Sequence, residues 1–191
     1  MIARVTGTFG SSRVQVALLR GINVGRAKRV AMVELRALLE ELGFGGVRTL
    51  LNSGNVVYDA GRTAPAAAAA SIERAVEARL GVASRVTVLT ASELARAVAE
   101  NPLSGVATDP SRLLVAVPAS AALLARLEPL ARERWGHERL ALGARVAYLW
   151  CPDGLLASRL PDAVGRLLGD AVTTRNWATM TKLHALADAT G

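Results

Sequence analysis

Between Arg13 and Arg29 the chain carries five basic side chains and no acidic one, with Gly21 and Gly25 set among them. Glycine turns let main-chain N–H groups come close to an oxyanion, and arginine forks and a lysine add charge, so this stretch has the chemistry of phosphate binding. It matches neither phosphate-loop fingerprint. No G-x-x-x-x-G-K-[ST] occurs, and Gly21-x-x-x-Gly25 lacks the middle glycine of a dinucleotide loop. A second polar group is Asn52-Ser53-Gly54-Asn55, and a third runs from Arg175 to Lys182. In the third, Asn176 has the side chain of a helix N-cap, Arg175 and Thr179 flank the first helical amides, and Lys182 follows one turn on. The candidate ligand-binding residues are therefore Arg20, Gly21, Asn23, Gly25, Ser53, Gly54, Asn55, Arg175, Asn176, Thr179 and Lys182. Each also has a plain structural use: glycine and asparagine mark any tight turn, and a capping Asn176 needs no ligand.

No residue presents itself as catalytic. Cys151 is the one cysteine and has no histidine near it in sequence to activate it, and no G-x-S-x-G elbow is present. The two histidines, His137 and His184, stand far apart without a second ligand at metal spacing, so neither a metal site nor a cofactor is expected. Asp59 is an unsupported base. Val146, Tyr148 and Trp150 alternate on one strand, as on an RNA-binding aromatic platform, but no strand opening either half carries a partner aromatic; core packing is the expected role.

The elements that must position these residues follow from periodicity and punctuation. Residues 14–20 are an apolar strand, 31–42 a helix with an apolar stripe ended by Gly43, and 47–51 and 56–59 two strands about the Asn52–Asn55 turn. An alanine-rich helix over 66–80 and a strand over 85–89 follow, and Thr90 with Glu93 has the signature of a capping box opening a short helix. Two prolines and a glycine make 101–110 a linker. The pattern then repeats: strand 112–117; helix 121–135, ended or kinked by Pro129; hairpin strands 139–142 and 145–150; helix 155–168, interrupted near Pro161; strand 171–174; and a terminal helix 177–189. The expected fold class is α+β, a duplicated ferredoxin-like (βαββαβ) unit with antiparallel sheets and a terminal α-helix. Residues 1–13 are read as a loose N-terminal leader, 14–100 as the first subdomain, 101–110 as linker and 111–191 as the second subdomain. In a βαββαβ unit the end of strand one and the hairpin between strands two and three share one edge, which would bring Arg20–Gly25 beside Ser53–Asn55. Runs such as VQVALL and RLLVAV are apolar on both faces, so both faces of each sheet need a cover. Either the two sheets pack together or a second chain covers them.

Composition bounds the rest. A fraction of 51% apolar and 20% charged residues is that of a globular chain. A lone cysteine excludes an internal disulfide, no run of 18 apolar residues spans a bilayer, and the short run at 14–19 is no signal peptide. The cytoplasm is the expected location. Arginines supply 21 of the 23 basic residues, a usage that a GC-rich genome would produce unaided. Placement carries more meaning, since residues 1–50 hold +5 of the net +7.

ALLRGINVG at Ala17–Gly25, SGNVVY at Ser53–Tyr58, YLWCPDG at Tyr148–Gly154 and RNWATMTKL at Arg175–Leu183 together resemble domain-of-unknown-function family 1697, a family of uncharacterised bacterial proteins. Ser158-Arg159-Leu160 resembles a Ser-Lys-Leu-like stretch of that family with arginine for lysine, while the leader before Arg13 departs from it. The resemblance implies a duplicated ferredoxin-like fold and no known activity. Its matched polar positions are Arg20, Asn23, Ser53, Asn55, Arg175, Asn176, Thr179 and Lys182.

Three functions compete. One is a binding protein for a phosphate-bearing ligand, either nucleotide or nucleic acid, at the glycine-rich basic edge. Another is an enzyme acting on a small anionic substrate in a cleft between the halves. The third is a structural or oligomerising protein, a homodimer through apolar sheet faces. A pocket joining the polar clusters favours the second, a broad basic face the first.

Overall fold

A computed structural model describes residues 13–24 and 28–190; the leader before Arg13, together with Gly25 and Arg26 of the basic loop, lies outside them. The elements are β1 (Val14–Leu19), α1 (Met32–Glu41), β2 (Gly45–Leu50), β3 (Asn55–Asp59), α2 (Pro65–Leu80), β4 (Val86–Thr90), α3 (Ala91–Ala99), β5 (Leu113–Pro118), α4 (Glu128–Arg132), β6 (Arg139–Leu142), β7 (Ala147–Trp150), α5 (Leu160–Leu168), β8 (Val172–Asn176) and α6 (Trp177–Asp188). They build two four-stranded antiparallel sheets, ordered β2-β3-β1-β4 and β6-β7-β5-β8, so both units have the ferredoxin-like strand order. The expected fold class holds.

Alternation along the central strands explains the layering. On β1, Val14, Val16 and Leu18 face inward, while Ala17 and Leu19 pack with α1 and α2 on the outer face. On β5, Leu113, Val115 and Val117 face inward, and Leu114 and Ala116 join α5 and the neighbouring turns on the other outer face. Between the sheets lie Leu94 and Ala97 of α3 with Met180, Leu183 and Ala187 of α6, so the inner faces of both units bury one shared core. Each sheet face is thus covered from within the chain. Gln15, the one polar residue of β1, is buried with both ends satisfied: its Oε1 accepts from Tyr58 Oη at 3.1 Å and its Nε2 donates to the Thr63 carbonyl at 2.7 Å.

The predicted capping box is present, with Glu93 N–H donating to Thr90 Oγ1 at 3.1 Å and Thr90 N–H to Glu93 Oε2 at 2.8 Å. Two prolines act differently from expectation. Residues Ala121–Leu127 form a 3-10 turn, and Pro129 lies in the first turn of α4 rather than at a helix end. Pro161 likewise opens α5, leaving residues 155–159 outside the helix. A proline has no N–H to give an interior turn, but the first turn asks for none, so these residues start helices. Val146, Tyr148 and Trp150 lie in the shared core, where Tyr148 Oη donates to the Ala97 carbonyl at 2.7 Å. No helix among the described residues is long and apolar enough to cross a membrane.

Candidate functional site

The end of β1 is where the polar residues gather. Leu19 N–H donates to the Gly54 carbonyl and Arg20 N–H to the Arg85 carbonyl, both at 2.8 Å. One side of this strand end therefore meets the β2–β3 hairpin, and the other meets the start of β4. Gly54 is fixed by space as well as by conformation: its φ is +73°, and a Cβ there would stand 2.7 Å from Leu19 Cβ. No other residue fits the turn.

Asn23 secures the basic loop. Its own φ is +55°, a value asparagine tolerates better than most residues. The Asn23 carboxamide bonds both main-chain groups of Val30, accepting its N–H at 2.9 Å and donating to its carbonyl at 2.8 Å. It also donates to the Asn52 carbonyl at 2.7 Å, and Asn23 N–H donates to the Lys28 carbonyl at 2.9 Å. The loop is closed at its base and tied to the hairpin. These bonds bring the end of β1 and its loop beside the hairpin through Leu19 with Gly54 and Asn23 with Asn52, whereas Arg20 N–H turns to the other side, toward Arg85.

Arg175 reaches the same place from the second unit. Its Nε donates to Asn55 Oδ1, and its Nη2 donates to the carbonyls of Leu19 at 2.7 Å and Ser53 at 3.1 Å. Its Nη1 donates to Thr173 Oγ1 at 3.0 Å and the Thr174 carbonyl at 2.8 Å. A guanidinium has five N–H donors, and these acceptors occupy all of them. No carboxylate is paired with it among the described residues, and burial pushes its pKa down to about 10. The group stays charged at neutral pH, held by carbonyl dipoles. Asn55 is fully buried beneath it, its Nδ2 donating to the Leu50 carbonyl and Ser53 Oγ, both at 2.9 Å.

Asn176 caps α6 by accepting the Thr179 N–H at 2.9 Å, while Ala178 N–H donates to the Pro110 carbonyl at 3.4 Å. The opening amides of α6 are thus directed to the chain's own acceptors. Thr179 is buried, and Lys182 stands exposed on α6.

Arg20, Gly21 and Lys28 face elsewhere, into an open cleft of about 600 Å³ that they line with Glu73, Glu77, Ala83, Ser84, Arg85 and Asp170. Arg20 lies 3.4 Å from Asp170 of the second unit, Arg85 lies 3.3 Å from Glu73, and Lys28 Nζ donates to the Ala83 carbonyl at 3.0 Å. Ser84 Oγ donates to the Arg20 carbonyl at 2.9 Å, fixing the wall behind the guanidinium. Thus the structure brings Asn23, Ser53, Gly54, Asn55 and Arg175 together as a junction, while the Arg20 side chain turns to the cleft. Of the predicted residues that are described, Arg20 and Gly21 line the cleft. Sequence reasoning missed Glu73, Glu77, Ser84, Arg85 and Asp170. One signal was within reach: strand four of a βαββαβ unit runs antiparallel to strand one, so its first residues had to meet Arg20. Among the described residues no three acidic, histidine or cysteine side chains converge as a metal site.

Comparison with known proteins adds family and fold. A family model described as "Protein of unknown function (DUF1697)" matches residues 13–148. No curated protein matches the chain. Among solved structures, the conserved bacterial protein SP0830 from Streptococcus pneumoniae superposes with a TM-score of 0.74, covering 91% of this chain and 98% of that one at 20% identity. At that identity the likeness speaks for the fold alone.

Proposed function

The chain belongs to the family of unknown function DUF1697, and from that premise we propose a cytosolic binding protein for a small phosphate-bearing ligand, of nucleotide size, seated in the cleft at the end of β1. The observation that carries the reading is the convergence of Arg20, Lys28 and Arg85 on one cleft of about 600 Å³. That volume lies in the range of about 300–1,000 Å³ typical of small-molecule sites. A nucleic-acid strand wants a continuous basic track, whereas this wall alternates three cations with three carboxylates. The small ligand is therefore preferred over nucleic acid. Arg175 enters the reading as the clamp that holds the wall, its donors being directed to the chain itself. The dimeric reading has little support, because the apolar sheet faces that motivated it are covered within the chain. The common strand order of the two units is what an internal duplication would leave.

Calorimetric titration with inorganic phosphate, nucleoside mono- and diphosphates and single-stranded RNA, at two salt concentrations, tests the proposal. Saturable one-to-one binding of a small phosphate compound, weakened in Lys28→Ala and Arg20→Ala, is expected. Binding of RNA alone with a steep salt dependence would move the function to nucleic acid. One further observation favours an enzyme acting on the same anion. Glu73, Glu77 and Asp170 put carboxylates, which can serve as general bases, in the cleft with the cations. Turnover of the bound compound, followed by phosphate release, would distinguish it from simple binding.

A further inference from the structure

The cleft's charges divide into paired and unpaired groups, and the division narrows the ligand. Arg20 is matched by Asp170 and Arg85 by Glu73, and Glu73 Oε1 also accepts the Val86 N–H at 2.7 Å. That leaves one cation and one carboxylate without an ion pair among the described residues: Lys28, whose Nζ meets only the Ala83 carbonyl, and Glu77. Glu77 follows Glu73 by four residues on α2, so both project from one side of that helix. An unpaired carboxylate beside a site for a pure anion would repel it. A ligand carrying both signs would satisfy both groups.

Resting on the phosphate reading above, we infer that the cleft's ligand is a zwitterion. Its phosphate lies toward Lys28 and Arg20, and an ammonium or similarly cationic nitrogen lies toward Glu77. The paired residues make the frame. Glu73, anchored to the main chain of β4, holds the α2 face in place, so Glu77 presents its charge from a fixed helix. The openness of the site admits water, so each contact contributes moderately and selectivity comes from two charges placed together.

The test compares on the full chain two probes with the same two-carbon ester, O-phosphoethanolamine and ethyl phosphate, which differ by the terminal ammonium group. The wild type should bind the amine-bearing probe about tenfold more tightly. In Glu77→Gln that preference should fall to about threefold or less, with ethyl phosphate bound as well as before or better. Glu77 is exposed and makes no ion pair among the described residues, so the variant should fold; an unchanged thermal transition checks this, and Glu77→Ala repeats the result in a second background. Equal affinity for the two probes in the wild type would overturn the zwitterion and leave the phosphate site standing. So would a preference that survives in both variants. If neither these probes nor any nucleotide binds, the phosphate reading falls and the zwitterion with it.

Discussion

Arg175 and Arg20 are both arginines at the meeting of two units, yet their environments set them to opposite tasks. Arg175 is saturated by acceptors of its own chain, four of them main-chain or side-chain oxygens of Leu19, Ser53, Asn55 and Thr173. Replacing it with Ala would leave buried carbonyls and Asn55 without a donor, at a cost of about 2–4 kcal/mol in urea unfolding. Arg175→Lys should recover little of that, because an ammonium offers three donors from one point instead of a planar fork. Arg20 holds its partner loosely, at 3.4 Å from a largely exposed Asp170. Asp170 competes there with any incoming anion. Asp170→Asn should therefore strengthen phosphate-probe binding by about threefold, while leaving stability within about 0.5 kcal/mol, as for most exposed pairs. A weakened affinity would make Asp170 part of the binding set instead. Cys151 is buried, and burial raises its thiol pKa above the usual value. Thiol reagents should modify it at neutral pH only on the timescale of unfolding, since the reactive thiolate is scarce.

At the level of elements, turns and caps do the positioning. The β2–β3 turn is held by Gly54, and Gly54→Ala must combine a left-handed backbone with a 2.7 Å approach to Leu19. A loss of about 2–3 kcal/mol is expected in chemical denaturation. The effect should spread to the cleft, because Leu19 precedes Arg20 and the turn supports the Asn23 loop through Asn52. Thr90 is a milder case. Its capping box starts α3, and Thr90→Ala should cost about 1 kcal/mol.

For the whole molecule, the shared core decides how the units depend on each other. The first unit's inner face is Val14, Val16, Leu18, Val57 and Leu89, packed with α6 from the far end of the chain. Uncovering those five side chains would cost about 10 kcal/mol, comparable with the entire net stability of about 5–15 kcal/mol of an ordinary domain. A second tie runs through α3, where Arg145 Nε stands 3.2 Å from Glu93 and Tyr148 Oη reaches the Ala97 carbonyl. A fragment of residues 13–100 should consequently show no cooperative thermal transition, while the whole chain unfolds in one step. A sharp transition in the fragment would establish an independent first domain.

Local pattern sufficed for the order of elements, the capping box of Thr90, the ferredoxin-like class and the meeting of the β1 end with the β2–β3 hairpin. These rest on periodicity, on turn chemistry and on the parallel course of strands one and two, all properties of adjacent residues or of one unit. The helix starts at Pro129 and Pro161 lay one step further, because a proline that breaks a helix interior and one that opens a first turn look alike in sequence. What lines the cleft was decided only by tertiary structure. Asp170 stands 150 residues from Arg20, and its arrival depends on how the second sheet packs over α3 and α6. The same packing directed Arg175 inward to main-chain carbonyls and left Lys28 and Glu77 without an ion pair among the described residues. Whether a charged side chain meets a ligand or its own chain depends on which acceptors the packed fold puts within reach, and residue type and spacing do not contain that distance.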